Sequence, residues 1–337
     1  MLASIASAKM GGHRLREITR YINGRHLQYA GSCLYGAPLA EMAYDVAAMT
    51  FSPVPTAASV MSYADFRKLP QPAPPRIIAY GRDPLQHVEL WTPPGTGSFP
   101  VVLLIHGGCW QTKVAKADIM RRMAETLAGR GVAVWSVEYR GVDAAGGGYP
   151  GTFQDVAGAA DLLRDEGGKL GLDINRVVAA GHSAGGHLAL WLAGRHRIEQ
   201  QSVLSARCPL RPKGVVSHGG LPDLAAARTA AAEACGADTI DRLVGPVTSA
   251  HLNPYSDTSP VSLAPLGVPQ VMVSGGNDPI SPPRFAEDYA AKMRATGDIV
   301  SIATIPKQGH FELITPGTPA GDAVIDAILR LLDKSAH

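Results

Sequence analysis

The feature that most constrains the fold is a series of short apolar runs that alternate, over most of the chain, with helical patterns. Eight runs have the length and β-branched content of buried strands: RIIAY (76–80), HVELW (87–91), VVLLI (101–105), VAVWSVEY (132–139), RVVAA (176–180), GVVSH (214–218), QVMVS (270–274) and VSIATI (300–305). Helical spacing follows the third and later runs at 118–128, 152–164, 184–192, 285–295 and 322–333. This order predicts an α/β fold with an eight-stranded, mostly parallel sheet flanked by helices, whose antiparallel part is the first two strands.

The composition supports a large folded core and excludes several classes of protein. Hydrophobic residues make up 46% of the 337 residues and charged residues 18%, which is incompatible with wholesale disorder. The formal net charge of +2 is too small and too scattered for a nucleic-acid-binding surface, so we expect no nucleic-acid partner. No apolar run approaches the ~18 residues of a membrane span, so we expect no such span.

Residues 1–60 differ from the rest of the chain and are interpreted as an N-terminal extension. They show only patchy helical spacing, and the first residues lack the continuous apolar core of a secretory signal. The default expectation is therefore a cytoplasmic protein, with a periplasmic or secreted protein as the alternative. The extension is either an arm packed on the main body, which we favour, or a lid or an oligomer contact. The oligomeric state is left open.

Composition suggests two further boundaries. Prolines crowd the stretch 61–75, which predicts a connector, and 76–337 then forms the main domain. Within that domain, 221–260 breaks the alternation, because it is rich in alanine and then loop-like. A long stretch between two predicted strands is either a small cap over a site or a plain helical excursion, and the sequence leaves both interpretations open.

The segment GHSAG at 181–185 matches G-x-S-x-G directly after a predicted strand and directly before a predicted helix. In that context the pattern predicts a nucleophile elbow, a sharp turn that lifts a serine hydroxyl above the edge of the sheet. Gly181 and Gly185 leave the space that such a turn needs. Ser183 then stands at a helix N-terminus, which favours developing negative charge, and it is the candidate nucleophile.

The serine needs a base, because a hydroxyl is a weak nucleophile at neutral pH. Of the 11 histidines, His310 is the best placed, since it lies in the loop after the last predicted strand and Gly309 lets that loop turn the ring towards the sheet. His182 flanks the serine and His187 lies one turn into the following helix, so both are poorer candidates. His310 is the predicted base.

The base in turn needs an acid that fixes its tautomer. Asp278 follows the predicted strand QVMVS at the carboxyl end of the sheet, where such sites form. The chain order Ser183, Asp278, His310 is typical of this arrangement. The alternative acid is Asp223, which follows GVVSH and could instead cap the alanine-rich helix after it. We favour Asp278.

A second loop, HGGCW at 106–110, directly follows the predicted strand VVLLI. Glycines in such a loop leave backbone N–H groups free to face a ligand. The N–H groups of Gly108, Cys109 and Ala184 are therefore the predicted oxyanion hole. We expect His106 to shape the loop by hydrogen bonding. Cys109 is assigned a backbone role, because no second base is evident.

The chain contains four cysteines, whose wide and irregular spacings match neither a zinc pattern nor a dense disulfide framework: Cys33, Cys109, Cys208 and Cys235. An exposed Cys208–Cys235 disulfide is left open. The sequence carries no H-E-x-x-H motif and no clustered His/Asp set, and a serine triad needs no metal. We therefore expect no metal and no cofactor.

In this order and spacing, HGGCW, GHSAGG, GGNDP and GHFEL resemble the α/β-hydrolase superfamily over about residues 76–335. The combination of HGG-x-W, GHSAGGHL and GHFEL looks most like the kynurenine formamidase-like and HGG-type carboxylesterase group. The resemblance implies the α/β-hydrolase fold and makes 76–337 a catalytic domain.

The expected activity is hydrolysis of carboxylic esters with short to medium acyl chains, by a serine hydrolase that forms an acyl-enzyme on a small-molecule substrate. The alternatives use the same residues: an arylformamidase acting on N-formylkynurenine-type amides, or a hydrolase of small peptides or acyl-peptides. A binding protein that keeps only the fold is disfavoured, because every triad member has a candidate. Trp110, Tyr149 and His182 are the residues assigned to the substrate pocket, although the two aromatic residues fit a packed core equally well.

Overall fold

The structure, a computed structural model, describes residues 60–249 and 251–334, so nearly all of the predicted N-terminal extension lies outside the described residues. Eight strands form one sheet: β1 Arg76–Ala79, β2 His87–Trp91, β3 Phe99–Ile105, β4 Ala133–Val137, β5 Leu172–His182, β6 Val215–His218, β7 Gln270–Gly275 and β8 Val300–Ile305. Their order is β1-β2-β4-β3-β5-β6-β7-β8. β2 is antiparallel to both of its neighbours, β1 and β4. All the other neighbouring pairs are parallel. Each predicted run overlaps one strand, and the predicted fold class is confirmed.

The described residues also contain eight α-helices: α1 Tyr63–Lys68, α2 Arg121–Gly129, α3 Gly151–Glu166, α4 Ala184–Gly194, α5 Leu224–Cys235, α6 Thr239–Val244, α7 Arg284–Ala295 and α8 Pro319–Lys334. The five predicted helices correspond to α2, α3, α4, α7 and α8. None of the helices in the described part of the chain has the length and apolar character needed to cross a bilayer.

The core lies on both faces of the sheet, as the side chains of β3 show. Val101, Leu103 and Ile105 pack with residues of α3, α4 and α7, whereas Val102 and Leu104 pack with residues of α2 and α8. All five side chains are fully buried. A strand buried on both faces needs a continuous apolar run, which is why VVLLI shows no polar alternation.

The stretch predicted as a connector contains a short helix, α1, before its prolines. Ser62 caps the helix by accepting a hydrogen bond from the backbone N–H of Asp65, and Phe66 is fully buried. A serine followed three residues later by an acidic side chain is a local helix-start signal. The helix is held because Phe66 packs with residues of α2 and α8 on one face of the sheet, which no local pattern reveals.

The alanine-rich insertion forms α5 and α6. Asp223 caps α5 by accepting a hydrogen bond from the backbone N–H of Ala226, which is the structural alternative to its role as the catalytic acid. α5 is anchored on the core by Leu224, Ala227 and Ala231, all in its first two turns. Its last turn, which ends at Cys235, is only partly buried.

Candidate active site

The predicted elbow lies where β5 passes into α4. β5 ends at His182, α4 begins at Ala184, and Ser183 between them has φ 53° and ψ −119°. A positive φ is rare for a residue with a side chain and costs roughly 1–3 kcal/mol, so it persists only where the surrounding structure enforces it. The turn leaves Ser183 at the N-terminus of α4.

Close backbone contacts explain the glycines on either side of the serine. A Cβ at position 181 would lie 2.1 Å from the carbonyl oxygen of Gly185. A Cβ at position 185 would lie 2.1 Å from the carbonyl oxygen of Ile105. Because these partners are backbone atoms, they cannot swing away. β3, β5 and α4 therefore approach at a distance that only glycine allows.

His310 and Asp278 form a buried pair at the carboxyl ends of the adjacent strands β7 and β8. Nδ1 of His310 donates to Oδ2 of Asp278 at 2.7 Å. The other carboxylate oxygen, Oδ1, accepts from the backbone N–H groups of Ile280 and Ser281 at 2.8 and 2.9 Å. Both oxygens are thus held, so the carboxylate fixes the orientation of the imidazole ring.

Asp223, the alternative acid, is engaged elsewhere. Besides capping α5, its Oδ2 accepts from Nζ of Lys292 at 2.7 Å. Among the described residues no hydrogen bond or ion pair joins Asp223 to His310. The structure therefore places Asp278, and not Asp223, against the predicted base.

One cavity of about 180 Å³ lies beside the elbow. Five of the predicted site residues line it: Gly108, Cys109, His182, Ser183 and His310. The remaining lining is almost entirely apolar in character: Tyr63, Val114, Ala115, Ile119, Ala234, Ile280 and Phe311. The structure thus brings the elbow, the HGGCW loop and the histidine loop to one place.

The HGGCW loop has an unusual backbone, with three consecutive residues at positive φ. The angles are 105° at Gly108, 57° at Cys109 and 52° at Trp110. In the part of the chain that the structure describes, no acceptor is bonded to the amide N–H of Gly108, Cys109 or Ala184. Gly108 and Cys109 line the cavity and Ala184 directly follows Ser183, so their unbonded N–H groups are suited to receive an oxygen of a ligand.

A buried hydrogen-bonded pair, His106 and Glu138, underlies this loop. Nε2 of His106 lies 3.1 Å from Oε1 of Glu138, and Oε2 of Glu138 accepts from the backbone N–H of Ala117. Burial alone would raise the pKa of Glu138, but the nearby His106 and hydrogen bonds to the carboxylate outweigh it and lower that pKa. Sequence reasoning missed Glu138. The available signal was an acidic residue near the end of the apolar run VAVWSVEY.

Two further histidines surround His310. Nε2 of His182 donates to the carbonyl oxygen of His310 at 3.1 Å, and the His182 ring lies 5.6 Å from that of His218. Burial, with a contribution from the neighbouring His310, lowers the pKa of His182 well below its ordinary value and that of His218 to about 3. Both rings are therefore neutral at neutral pH, and neither competes with His310 as a proton acceptor.

Two residues assigned to the substrate pocket lie elsewhere. Trp110 is fully buried, and its Nε1 donates to Nδ1 of His187 at 3.2 Å, so its side chain points away from the cavity into the core. Tyr149 donates to Oδ2 of Asp257 and stacks on His251, and these three residues line a separate groove. Of the three assigned residues, only His182 lines the cavity.

A wall that sequence reasoning missed comes from α1. The hydroxyl of Tyr63 donates to the carbonyl oxygen of Val114 at 2.8 Å, and its ring centroid lies 5.2 Å from that of Phe311. The backbone N–H of Met61 donates to Oε1 of Glu312 at 2.6 Å. These contacts hold the start of α1 over the loop that carries His310, so Tyr63 closes one side of the cavity.

The cysteine pairing differs from the one left open by the sequence. Cys109 forms a disulfide with Cys235, across 126 positions of sequence, whereas Cys208 is exposed and free. The reason is topological, because the insertion carries the end of α5 back over the HGGCW loop. Cys109 therefore has a side-chain role as well as the backbone role assigned to it.

Comparison with known proteins agrees with this architecture. The sequence model of the BD-FAE family matches residues 88–293. The chain belongs to the BD-FAE family. Together with the fold, this membership places it in the α/β-hydrolase superfamily. α1 and the Tyr63 wall precede the matched segment.

Relatives of known sequence or structure extend the comparison. Esterase LipC from Mycobacterium tuberculosis is 29% identical over 247 residues, which are 71% of this chain and 60% of LipC, so the match spans less than two thirds of that relative. Esterase B from Lactobacillus rhamnosis superposes with a TM-score of 0.68 at 22% identity, over 81% of this chain and 91% of that one. A truncated carbohydrate esterase from gut microbiota gives 0.62 at 18% identity, over 76% and 95%. The two structures share the fold of this chain.

Proposed function

We propose that this chain is a serine hydrolase that cleaves carboxylic esters with short to medium acyl chains through an acyl-enzyme intermediate. The observation that carries the proposal is the placement of Ser183, at positive φ on the elbow, in the same apolar cavity as a histidine that is hydrogen-bonded to a buried aspartate. The names of LipC and esterase B, both esterases, support the same class of reaction.

In the proposed reaction the Ser183 hydroxyl attacks the ester carbonyl carbon. Because Nδ1 of His310 is bonded to Asp278, its Nε2 is the nitrogen that takes the serine proton and passes it to the leaving alcohol. Asp278 stays ionised and stabilises the imidazolium. A water molecule, activated by the same nitrogen, then hydrolyses the acyl-enzyme and releases the acid.

The negative charge that develops on the carbonyl oxygen needs donors. We assign this role to the amide N–H groups of Gly108 and Cys109, on the HGGCW loop, and of Ala184, the first residue of α4. Each preorganised donor of this kind typically stabilises the transition state by about 3 kcal/mol. The N-terminal end of α4 adds a favourable dipole.

The size and lining of the cavity support short acyl groups. Its volume of about 180 Å³ is small, against the roughly 300–1,000 Å³ typical of sites for drug-sized ligands. Apolar side chains such as Ile119 and Ile280 suit an aliphatic chain, and Tyr63 limits how far it can extend.

The proposal is tested with p-nitrophenyl esters from acetate to dodecanoate, with N-formylkynurenine in parallel. We expect the highest kcat/KM on one of the shorter esters and a much lower value on the formamide. A clear preference for N-formylkynurenine would instead establish the amide hydrolase that the motifs resemble, with the same residues. If none of these compounds is hydrolysed, the proposed ester specificity is contradicted.

Replacing Tyr63 by alanine is expected to move the preference towards longer esters. The change opens one wall of the cavity, and each additional buried CH₂ group is worth about 0.8 kcal/mol, or roughly fourfold in kcat/KM. We therefore expect the octanoate-to-acetate ratio of kcat/KM to rise by roughly tenfold or more, which corresponds to at least two newly buried CH₂ groups.

The matched control is Tyr63→Phe, which removes only the hydrogen bond to Val114 and keeps the ring in place. We expect this variant to retain the chain-length profile of the parent enzyme. An unchanged profile in Tyr63→Ala would show that Tyr63 does not limit the acyl pocket.

A further inference from the structure

We propose that the Cys109–Cys235 disulfide is a redox-sensitive clamp that holds the HGGCW loop in its oxyanion-binding conformation, with Cys235 as a positioning residue. This inference rests on the proposed hydrolase function. It adds that the thiol–disulfide state of one cysteine pair controls kcat.

The HGGCW loop has a backbone conformation that needs an external restraint. Cys109 and Trp110 both carry side chains at positive φ, immediately after Gly108, which is also at positive φ. Each non-glycine residue in this region costs roughly 1–3 kcal/mol and needs the surrounding structure to enforce it. The N–H of Cys109 is one of the proposed oxyanion donors. Its orientation depends on this positive-φ conformation being maintained.

The end of α5 restrains this part of the chain at two points. Cys235 is bonded to Cys109, and the carbonyl oxygen of Cys235 accepts at 2.6 Å from Nε2 of Gln111, the residue that follows the loop. The same amide nitrogen also donates to Oγ1 of Thr239 at 3.2 Å. Trp110 is held separately, since its side chain is buried and its carbonyl oxygen accepts from Val142. Among the three proposed donor residues, Cys109 alone has a side chain outside the core, and the disulfide is the covalent restraint on it.

The helices of the insertion are anchored on the core independently of the disulfide. α5 is anchored through Leu224, Ala227 and Ala231, all upstream of its last turn, and α6 is anchored through Ile240 and Leu243. Breaking the disulfide leaves these buried contacts in place. No described hydrogen bond connects Cys235 to Ser183, Asp278 or His310, so the nucleophile and base keep their positions. The expected consequence is confined to the oxyanion loop.

The disulfide is accessible to a small molecule from the cavity. Cys109 and Ala234, the neighbour of Cys235, both line the 180 Å³ cavity, and both disulfide-bonded residues are only partly buried. A small reductant therefore reaches the bond from the substrate side. With a water-soluble phosphine, the S–S bond breaks, each sulfur becomes a thiol by taking up one proton, and the phosphine takes the oxygen of one water molecule as its oxide. Two electrons pass from phosphorus to the two sulfurs.

The test uses the full chain with Cys33→Ser and Cys208→Ser, so that only Cys109 and Cys235 remain of the four cysteines. The protein is reduced with the phosphine, desalted anaerobically and assayed on p-nitrophenyl acetate, and thiols are counted with a chromogenic disulfide reagent. We expect no free thiol before reduction and two after it. We expect kcat to fall by about 10²–10³, the usual effect of losing one oxyanion donor, with KM little changed and activity restored on reoxidation.

Two further measurements separate positioning from a general loss of structure. Cys235→Ser, which leaves Cys109 in place, should show the same loss of kcat without reductant and no response to the phosphine. A trifluoromethyl ketone, which forms a tetrahedral adduct with the serine, should bind more weakly in proportion to the loss of kcat. Circular dichroism of the reduced protein should retain the parent spectrum.

The outcomes distinguish the clamp from the proposed function. An oxidised enzyme that hydrolyses esters and keeps its full kcat after reduction overturns the clamp and leaves the proposed function standing. Two free thiols before reduction, a lost dichroism spectrum, or a loss carried mainly by KM also overturns the clamp. An oxidised enzyme without hydrolase activity overturns the proposed function and, with it, the role of the clamp.

Discussion

Replacing Ser183 by alanine is expected to lower kcat for p-nitrophenyl acetate by about 10⁵–10⁶, as removal of the nucleophile does in serine triads generally. The cavity and the oxyanion donors remain, so KM should change little. The substitution removes only the hydroxyl group, which makes no described hydrogen bond, so we expect the variant to fold. Thermal unfolding followed by circular dichroism checks this.

Covalent labelling provides the control for this substitution. A fluorophosphonate should add to the parent enzyme on the peptide that contains Ser183, which mass spectrometry identifies, and should not add to Ser183→Ala. A loss of less than tenfold in kcat, or labelling that persists at another serine, would contradict the assignment of the nucleophile.

The second large effect is expected from Asp278→Asn, which should lower kcat by about 10⁴. An asparagine keeps the size of the side chain but presents an amide, which no longer stabilises the imidazolium and favours the wrong tautomer of His310. Both oxygens of Asp278 are in use, one on His310 and one on the backbone of Ile280 and Ser281, so the side chain should stay in place.

Asp223→Asn is the matched control for this prediction. It makes the same chemical change at the alternative acid, it retains an N-cap for α5 because asparagine also caps helices, and it removes only the exposed pair with Lys292. We expect kcat within a factor of two or three of the parent, since exposed ion pairs contribute little. Equal losses in the two variants, or a larger loss in Asp223→Asn, would contradict the choice of Asp278.

The parts of this protein that were predictable are those with a local physical cause. A doubly buried strand such as VVLLI must be apolar on both faces, and a turn as tight as the one around Ser183 admits only glycine at positions 181 and 185. Such constraints act within a few residues, so they are visible as patterns in the chain. They were sufficient for the eight strands, five of the helices and the strand–serine–helix context.

The parts that were not predictable depend on which elements meet. Trp110 and Tyr149 were equally compatible with a pocket and with a packed core, and their places were decided by His187 and Asp257, which lie far away in sequence. Glu138 beneath the HGGCW loop is a similar case, because it follows β4, whereas its partner His106 follows the neighbouring strand β3.

The sequence by itself determined the fold class, the elbow and the order of the candidate serine, acid and base, because periodicity and backbone sterics are properties of neighbouring residues. Only the tertiary structure decided that Tyr63 walls the cavity and that Cys109 pairs with Cys235 and not Cys208 with Cys235. Those contacts join segments 51 and 126 positions apart. Their formation depends on how the sheet and the insertion bring distant loops together, which no local pattern of residues encodes.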